Sequence, residues 1–276
     1  MELRELPREG QVHMPDKRTK PAKELRGLPS PVYPIVAIGA SAGGLDACTR
    51  LIDSLPARTG MAFVLIQHLD PNHESMMADL LAGHTTMTVQ QASDGDIIAP
   101  EHLYIIPPGS YLSVAEGKLH LSTPGARRGA RLPFDFLLNS LAEDCPERTI
   151  GVILSGTGAD GSLGLKALHD VGGFTIAQQP EEAEYDGMPK AAIAAGAVDL
   201  ILPVGEIAAA LVDPARLVQR DGMSSIVAPS CLPSVIDLLR ASTGHDFTLY
   251  KMGTLQRRIE RRMGLASVES LSLIHI

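Results

Sequence analysis

Chemistry in a chain of this kind is most legible where an apolar run stops at a turn of small residues. Ile35-Val-Ala-Ile-Gly-Ala-Ser-Ala-Gly-Gly-Leu-Asp46 has that form. Within it, Gly39-Ala-Ser41-Ala-Gly43 fits the G-x-S-x-G elbow, in which a serine stands exposed on a sharp turn and the free N–H groups of the next helix face a developing oxyanion. Ser41 is therefore a candidate nucleophile for acyl transfer. A glycine-rich turn whose serine only caps the following helix accounts for the same letters, and this segment alone leaves both readings open. Nucleotide binding fits worse. A phosphate-cradling P-loop needs Lys-Ser/Thr after its second glycine, where Leu45-Asp46 follow Gly44, and the dinucleotide fingerprint needs glycine where Ser41 stands.

A serine nucleophile needs a base. Gln67-His68-Leu-Asp70-Pro71 sets His68 just past the apolar run Met61 to Ile66, at the strand end where open α/β sheets build sites. There it could accept the Ser41 proton and pass it to a leaving alcohol. With nine histidines in the chain, position rather than residue type singles it out. His68, Asp70 and His73 also invite a metal reading, but Pro71 breaks the helix that would align them and no HExxH pattern occurs. The third element is Gly151-Val-Ile-Leu-Ser-Gly-Thr-Gly-Ala-Asp-Gly-Ser-Leu-Gly-Leu165, a buried strand running into a glycine-rich turn with Asp160 at its crest. Asp160 could orient His68 and stabilise its imidazolium. Equally, it could cap the helix through Leu163 to Leu168.

These residues need strands and helices to hold them. Apolar runs at Ile35–Ile38, Met61–Ile66, Ile150–Leu154 and Phe174–Ala177 read as buried parallel strands. Between them Cys48, Leu51, Ile52 and Leu55 share one helical face, and Phe134, Leu137, Leu138 and Leu141 another, so the chain is of α/β class. Tyr111 to Ser122 alternates around Glu116-Gly-Lys118 and predicts an antiparallel hairpin added to the edge of the main sheet.

With 276 residues, 45% of them hydrophobic, the chain has room for one sizeable domain and flanking segments. Its organisation is expected to be a tail over 1–31, a main domain over 32–212, a linker over 213–229 and a second unit over 230–276. A net charge of -8 gives no bulk attraction to nucleic acid or anionic lipid. Cys48, Cys145 and Cys231 form no CxxC pair, the N-terminus has no apolar signal region, and no run approaches eighteen apolar residues. A cytoplasmic protein without direct membrane insertion is the expectation.

Taken together, Ile38-Gly-Ala-Ser-Ala-Gly-Gly-Leu-Asp-Ala47, Gln67-His68, Leu154-Ser-Gly-Thr-Gly-Ala-Asp-Gly-Ser-Leu-Gly-Leu165 and Ala183-Glu-Tyr-Asp-Gly-Met-Pro-Lys190 resemble, in order, the catalytic domain of the CheB protein-glutamate methylesterases over about residues 33–210. The resemblance implies a doubly wound, mostly parallel sheet with helices on both faces. It implies Ser41 as nucleophile, His68 as base and acid, Asp160 as the group orienting His68, and Ala42, Thr157, Gly158 and Met188 as oxyanion or substrate-binding positions. The implied reaction removes methyl esters from glutamates of the cytoplasmic domain of a methylated chemoreceptor, with receptor glutamine deamidation as a further activity and no metal or organic cofactor. The segment Tyr185 to Lys190 is expected to form a loop beside the site.

Two departures from the family pattern stand out. Its chemotaxis members usually carry Ser-Thr-Gly-Gly where this chain has Ser41-Ala-Gly-Gly44, leaving backbone donors around Ala42 and Thr157 to hold an oxyanion. They also usually place a receiver domain first, where only some thirty residues precede the esterase here, so activation by phosphorylation in cis is not expected. From Cys231 onward the sequence is similar to the start of CheR-type methyltransferases, with Lys251, Arg257, Arg258, Arg261 and Arg262 forming a basic stretch opposed by Glu260. This implies the front of a CheB and CheR fusion, the chain stopping within the CheR N-terminal helical domain before the part that binds S-adenosylmethionine. The rival readings are an idle scaffold within a larger sensory fusion and an esterase of small molecules.

Overall fold

The computed structural model of the chain describes residues 33–67, 76–123, 132–212 and 232–247, together with Leu255, Gln256, Ile259 and Met263. The expected tail over 1–31 and linker over 213–229 lie outside the described residues. So do His68, Asp70, His73, Cys231 and the charged residues Lys251, Arg257, Arg258, Glu260, Arg261 and Arg262.

The strands are β1 Ile35–Ala40, β2 Ala62–Gln67, β3 Thr88–Gln91, β4 His102–Ile105, β5 Tyr111–Ala115, β6 Lys118–Ser122, β7 Thr149–Ile153, β8 Phe174–Gln178 and β9 Leu200–Leu202. The helices are α1 Gly44–Asp53, α2 Met77–Ala82, α3 Pro133–Asp144, α4 Ser162–Asp170, α5 Gly187–Ala194, α6 Val204–Val212 and α7 Leu232–Thr243. One sheet of seven strands runs in the order β3-β4-β2-β1-β7-β8-β9, each pairing parallel. The doubly wound α/β fold expected from the sequence is present.

Strand β1 lies at the centre and is buried along its whole length, as a run with no polar side chain must be. Its residues alternate between two cores. Val36, Ile38 and Ala40 pack with Cys48 and Leu51 of α1, Leu81 of α2 and Ile207 of α6. Ile35 and Ala37 face Leu137 and Leu138 of α3, Leu165 of α4 and Ala192 of α5. The chain leaves β1 toward β2 on one side and returns later to β7 on the other, so the carboxyl end of β1 is the switch point where such sheets open a crevice.

The hairpin forms, but not as a strand of the main sheet. Among the named strands β5 and β6 pair with each other, around Glu116 (φ 53) and Gly117 (φ 71), the pair of left-handed residues that a tight hairpin turn requires, and Lys118 also bridges Ile97. Its inner residues Leu112, Val114 and Leu119 are buried in the α3 side of the core. Its backbone is tied to α3 by Val114 N–H to Ser140 Oγ at 2.9 Å and Glu116 N–H to Asp144 Oδ1 at 2.8 Å. The sheet therefore acquires no mixed edge at this point.

Among the described residues of the C-terminal part, Leu232 and Met263 are buried together, with Ile259 packed against them.

Candidate active site

Ser41 follows β1 directly, and α1 begins three residues later. The turn between them is closed by Gly44 N–H to the Ser41 carbonyl at 2.9 Å. Gly43 takes φ 67, a left-handed conformation that glycine reaches without cost. Ser41 N–H donates to the Ser155 carbonyl at 3.0 Å, which links the end of β1 to the segment leaving β7. Ser41 itself is half-buried, in contrast to the fully buried strand before it.

The Gly156 backbone lies against the nucleophile. A Cβ at Gly156 would fall 3.0 Å from the Ser41 Cβ and 2.1 Å from Met188 Sδ. Met188 is buried, and its N–H donates to the Gly156 carbonyl at 2.8 Å. Its side chain thus fills the space behind the 155–156 peptide, beside Ser41. Thr157 and Gly158 continue from Gly156 onto an exposed turn, with Gly158 at φ 82. Of the expected oxyanion or substrate positions, Ala42 and Met188 are thus brought to Ser41, and Thr157 and Gly158 occupy the neighbouring turn.

Asp160 is buried, with only 3% of its surface exposed. Its Oδ2 accepts the Phe134 N–H and its Oδ1 the Asp135 N–H, each at 3.0 Å. These are free donors of the first turn of α3, so the carboxylate caps α3, a helix that precedes it in sequence. Asp135 returns the arrangement: its Oδ1 accepts the Gly164 N–H at 2.6 Å, in the first turn of α4. Burial pushes the Asp135 carboxyl above its ordinary pKa, the Gly164 N–H opposes this, and the Asp160 charge adds to the rise. Its Oδ2 is buried without a hydrogen-bond partner among the described residues. Phe134 makes the exchange possible by wedging its ring where a Cβ at Gly39 or at Gly161 would stand, at 2.1 and 2.3 Å. The two glycines thereby let the start of α3 close on the ends of β1 and β7.

His68 lies outside the described residues. Gln67 before it is in register with Ala40, the residue before Ser41. The Gln67 Oε1 is buried with no partner among the described residues. No group of three His, Cys, Asp or Glu side chains suited to a metal occurs among them either.

The segment expected to loop beside the site is a loop only through Tyr185 and Asp186, because Gly187 to Lys190 open α5. Pro189 sits in the first turn, where a missing N–H is tolerated. Gly187 lies so close to the Gly156–Gly158 turn that a Cβ there would be 3.1 Å from the Gly158 nitrogen. Glu182 anchors the start of this loop: its Oε2 accepts the Val204 N–H at 2.7 Å, and its other oxygen pairs with the Arg50 guanidinium. Burial opposes its ionisation, but the Val204 N–H and Arg50 prevail and hold the carboxyl below its ordinary value.

A profile of the CheB methylesterase family matches residues 36–211, and a profile of the all-alpha domain of CheR methyltransferases matches residues 232–273. The chain belongs to the CheB methylesterase family. It is 38% identical over 201 residues to the protein-glutamate methylesterase FrzG of Myxococcus xanthus, an overlap covering 72% of this chain and 60% of that protein. It is 40% identical over 185 residues to protein-glutamate methylesterase/protein-glutamine glutaminase 2 of Burkholderia orbicola (strain AU 1054), covering 67% and 55%. The chain thus spans at most 60% of the length of these two relatives. The fold also superposes on the crystal structure of the Thermotoga maritima CheB methylesterase catalytic domain with a TM-score of 0.61 and 33% identity, covering 65% of this chain and 97% of that one. The CheB match followed by the CheR match gives the fusion order expected from the sequence.

Two residues at this CheB-family site carried no signal that sequence reasoning could use. Ser155 and Gln178 are both fully buried at strand ends, and the Ser155 N–H donates to Gln178 Oε1 at 2.8 Å. Their roles depend on neighbours far away in the chain.

Proposed function

We propose that the chain is a protein-glutamate methylesterase that hydrolyses glutamyl methyl esters on the cytoplasmic domain of a methyl-accepting chemoreceptor. The observation that carries this reading is the placement of Ser41 and Asp160 at the carboxyl ends of adjacent strands, β1 and β7, within a CheB-family domain. The turn that presents Ser41 and the turn that presents Asp160 share the Ser41–Ser155 hydrogen bond.

In this mechanism Ser41 Oγ attacks the ester carbonyl while His68 takes the hydroxyl proton. The carbonyl π pair moves to oxygen, and the resulting oxyanion is held by the Ala42 N–H and by N–H groups of the Thr157–Gly158 turn. Collapse of the tetrahedral intermediate expels methoxide, which leaves as methanol with the proton from His68. A water then repeats the sequence on the acyl-Ser41 ester and releases the glutamate carboxylate. Asp160 orients the His68 ring. A carboxylate offers about four acceptor directions, so the two α3 N–H groups do not exhaust it. Met188 shapes the wall beside the nucleophile. The reaction so written needs no cofactor, and the same acyl chemistry would release ammonia from a receptor glutamine.

No helix among the described residues is long and apolar enough to cross a membrane. The test is methanol release from a methylated receptor fragment. Wild type should release it, and Ser41→Ala should lower the rate by about 10⁵-fold. No release from either protein would favour an idle scaffold.

A further inference from the structure

We propose that Ser155 is a positioning residue for the nucleophile turn, fixing the direction of the Ala42 N–H through its own carbonyl and hydroxyl. The inference rests on the reading of Ala42 as an oxyanion donor and adds the group that holds it.

Three consecutive peptide units make up the turn, and each is pinned by a different bond. The 40–41 unit gives its N–H to the Ser155 carbonyl at 3.0 Å. The 41–42 unit gives its carbonyl to the Gly44 N–H at 2.9 Å. The 42–43 unit gives its carbonyl to Ser155 Oγ–H at 3.0 Å. Because the N–H and C=O of a trans peptide point in opposite directions, the Gly44 bond turns the Ala42 N–H away from the start of α1. Ser155 then holds the peptide on either side, so the unit between them has little freedom to rotate.

The hydroxyl has one proton to give, and its neighbours decide where it goes. The Tyr185 carbonyl is the other acceptor in reach, at 3.4 Å, but it already accepts the Gly156 N–H at 2.9 Å. The shorter contact to Ala42 therefore takes the proton. The Ser155 oxygen in turn accepts the Tyr185 N–H at 3.0 Å. Ser155 is only 1% exposed, so water does not substitute for these partners. One buried side chain thereby joins the nucleophile turn to the segment that leads into α5 and Met188.

Loss of the hydroxyl should damage the transition state more than substrate binding, since an oxyanion donor acts mainly there. Two readouts separate this claim from the methylesterase reading on which it rests: methanol release from a methylated receptor fragment, and the rate at which a fluorophosphonate labels Ser41. Ser155→Ala is expected to lower both kcat and the labelling rate by about 10²-fold, with KM changed less than about threefold. Ser155→Thr keeps the oxygen and should recover most of the loss. If Ser155→Ala does not fold, Ser155→Cys replaces it, and its weaker donor should give a smaller loss of the same kind.

A wild-type chain that is labelled but releases no methanol would remove the methylesterase reading, and the labelling ratio would still decide the role of Ser155. The proposal is overturned by a folded Ser155→Ala or Ser155→Cys protein that labels at the wild-type rate. It is also overturned by a loss in Ser155→Ala that Ser155→Thr shares in full, or by a wild-type chain inert in both assays.

Discussion

Both edges of the central sheet hold a hydroxyl and a carboxylate and arrange them differently. At the amino end of β8, Thr175, Asp199 and His169 supply a hydroxyl, a carboxylate and an imidazole. Thr175 Oγ1 is 3.1 Å from Asp199 Oδ2, and His169 Nε2 is 3.4 Å from Asp199 Oδ1. Thr175 has no exposed surface, and its Oγ1 also accepts the Asp199 N–H at 3.1 Å. The hydroxyl thus serves the carboxylate and the backbone, so the cluster locks β8 to the start of β9. At the carboxyl edge, Ser41 is half-exposed on a turn whose own backbone is pinned, and the buried carboxylate of Asp160 accepts two N–H groups of another helix. Residue types therefore do not define a hydrolytic site. On the proposed reading, what separates the two edges is a hydroxyl available to substrate and N–H groups aimed at where charge will develop.

Asp160→Asn is expected to break the catalytic edge most informatively after removal of Ser41 itself. An amide keeps one oxygen for α3 but presents an NH₂ in place of the other acceptor. The helix cap should weaken by about 1–2 kcal/mol, whereas kcat should fall by about 10⁴-fold if Asp160 also orients His68. Methanol release compared with urea unfolding separates the two roles, and a folded variant with near wild-type kcat would leave Asp160 only its cap. At the other edge, Thr175→Val should show the reverse pattern. It removes a buried hydroxyl that serves two partners and should cost about 1–3 kcal/mol of stability, with kcat unchanged within about twofold.

The same contrast explains which parts of the molecule were legible in the sequence. Strands β1, β2, β7 and β8 are buried on both faces, so their sequences are dominated by apolar residues, with Thr175 the one polar residue inside the run of β8. Ser41 could be read because its signal is local: small residues before and after a serine at a strand end. The short edge strands β3 and β9 carry partly exposed residues and gave no comparable pattern. The hairpin strands were readable from their alternation, but their docking on α3 depends on Ser140 and Asp144, more than twenty residues downstream. The sequence offers Asp160 as a carboxylate beyond a strand end with two possible uses, and neither involves the α3 N–H groups 25 and 26 residues earlier. Ser155 carries no local signal, because its partners Ala42 and Tyr185 lie 113 and 30 positions away. What escapes the sequence at this site is the set of hydrogen bonds between turns.

The exchange of caps between α3 and α4 gives the smallest effect and a defined sign. Asp135 is the less favourably placed of the two carboxylates. Burial and, after the opposing Gly164 N–H, the Asp160 charge leave its pKa raised in the folded protein. The folded state therefore holds the Asp135 proton more tightly than the unfolded chain does. Stability associated with that proton is complete below the ordinary carboxylate range of about 4 and is lost as pH rises through the raised folded value. Asp135→Asn keeps an oxygen for the Gly164 N–H and carries no proton to lose. Urea unfolding of both proteins at a series of pH values from 4 to 7 should show the variant gaining on the wild type as pH increases. A difference that is flat or falls with pH would mean that the α4 N–H groups stabilise the ionised Asp135 more than burial and Asp160 oppose it. The two helix starts would then be held by a matched pair of carboxylates, and the cost of bringing two charges to one sheet edge would be met by the helix ends themselves.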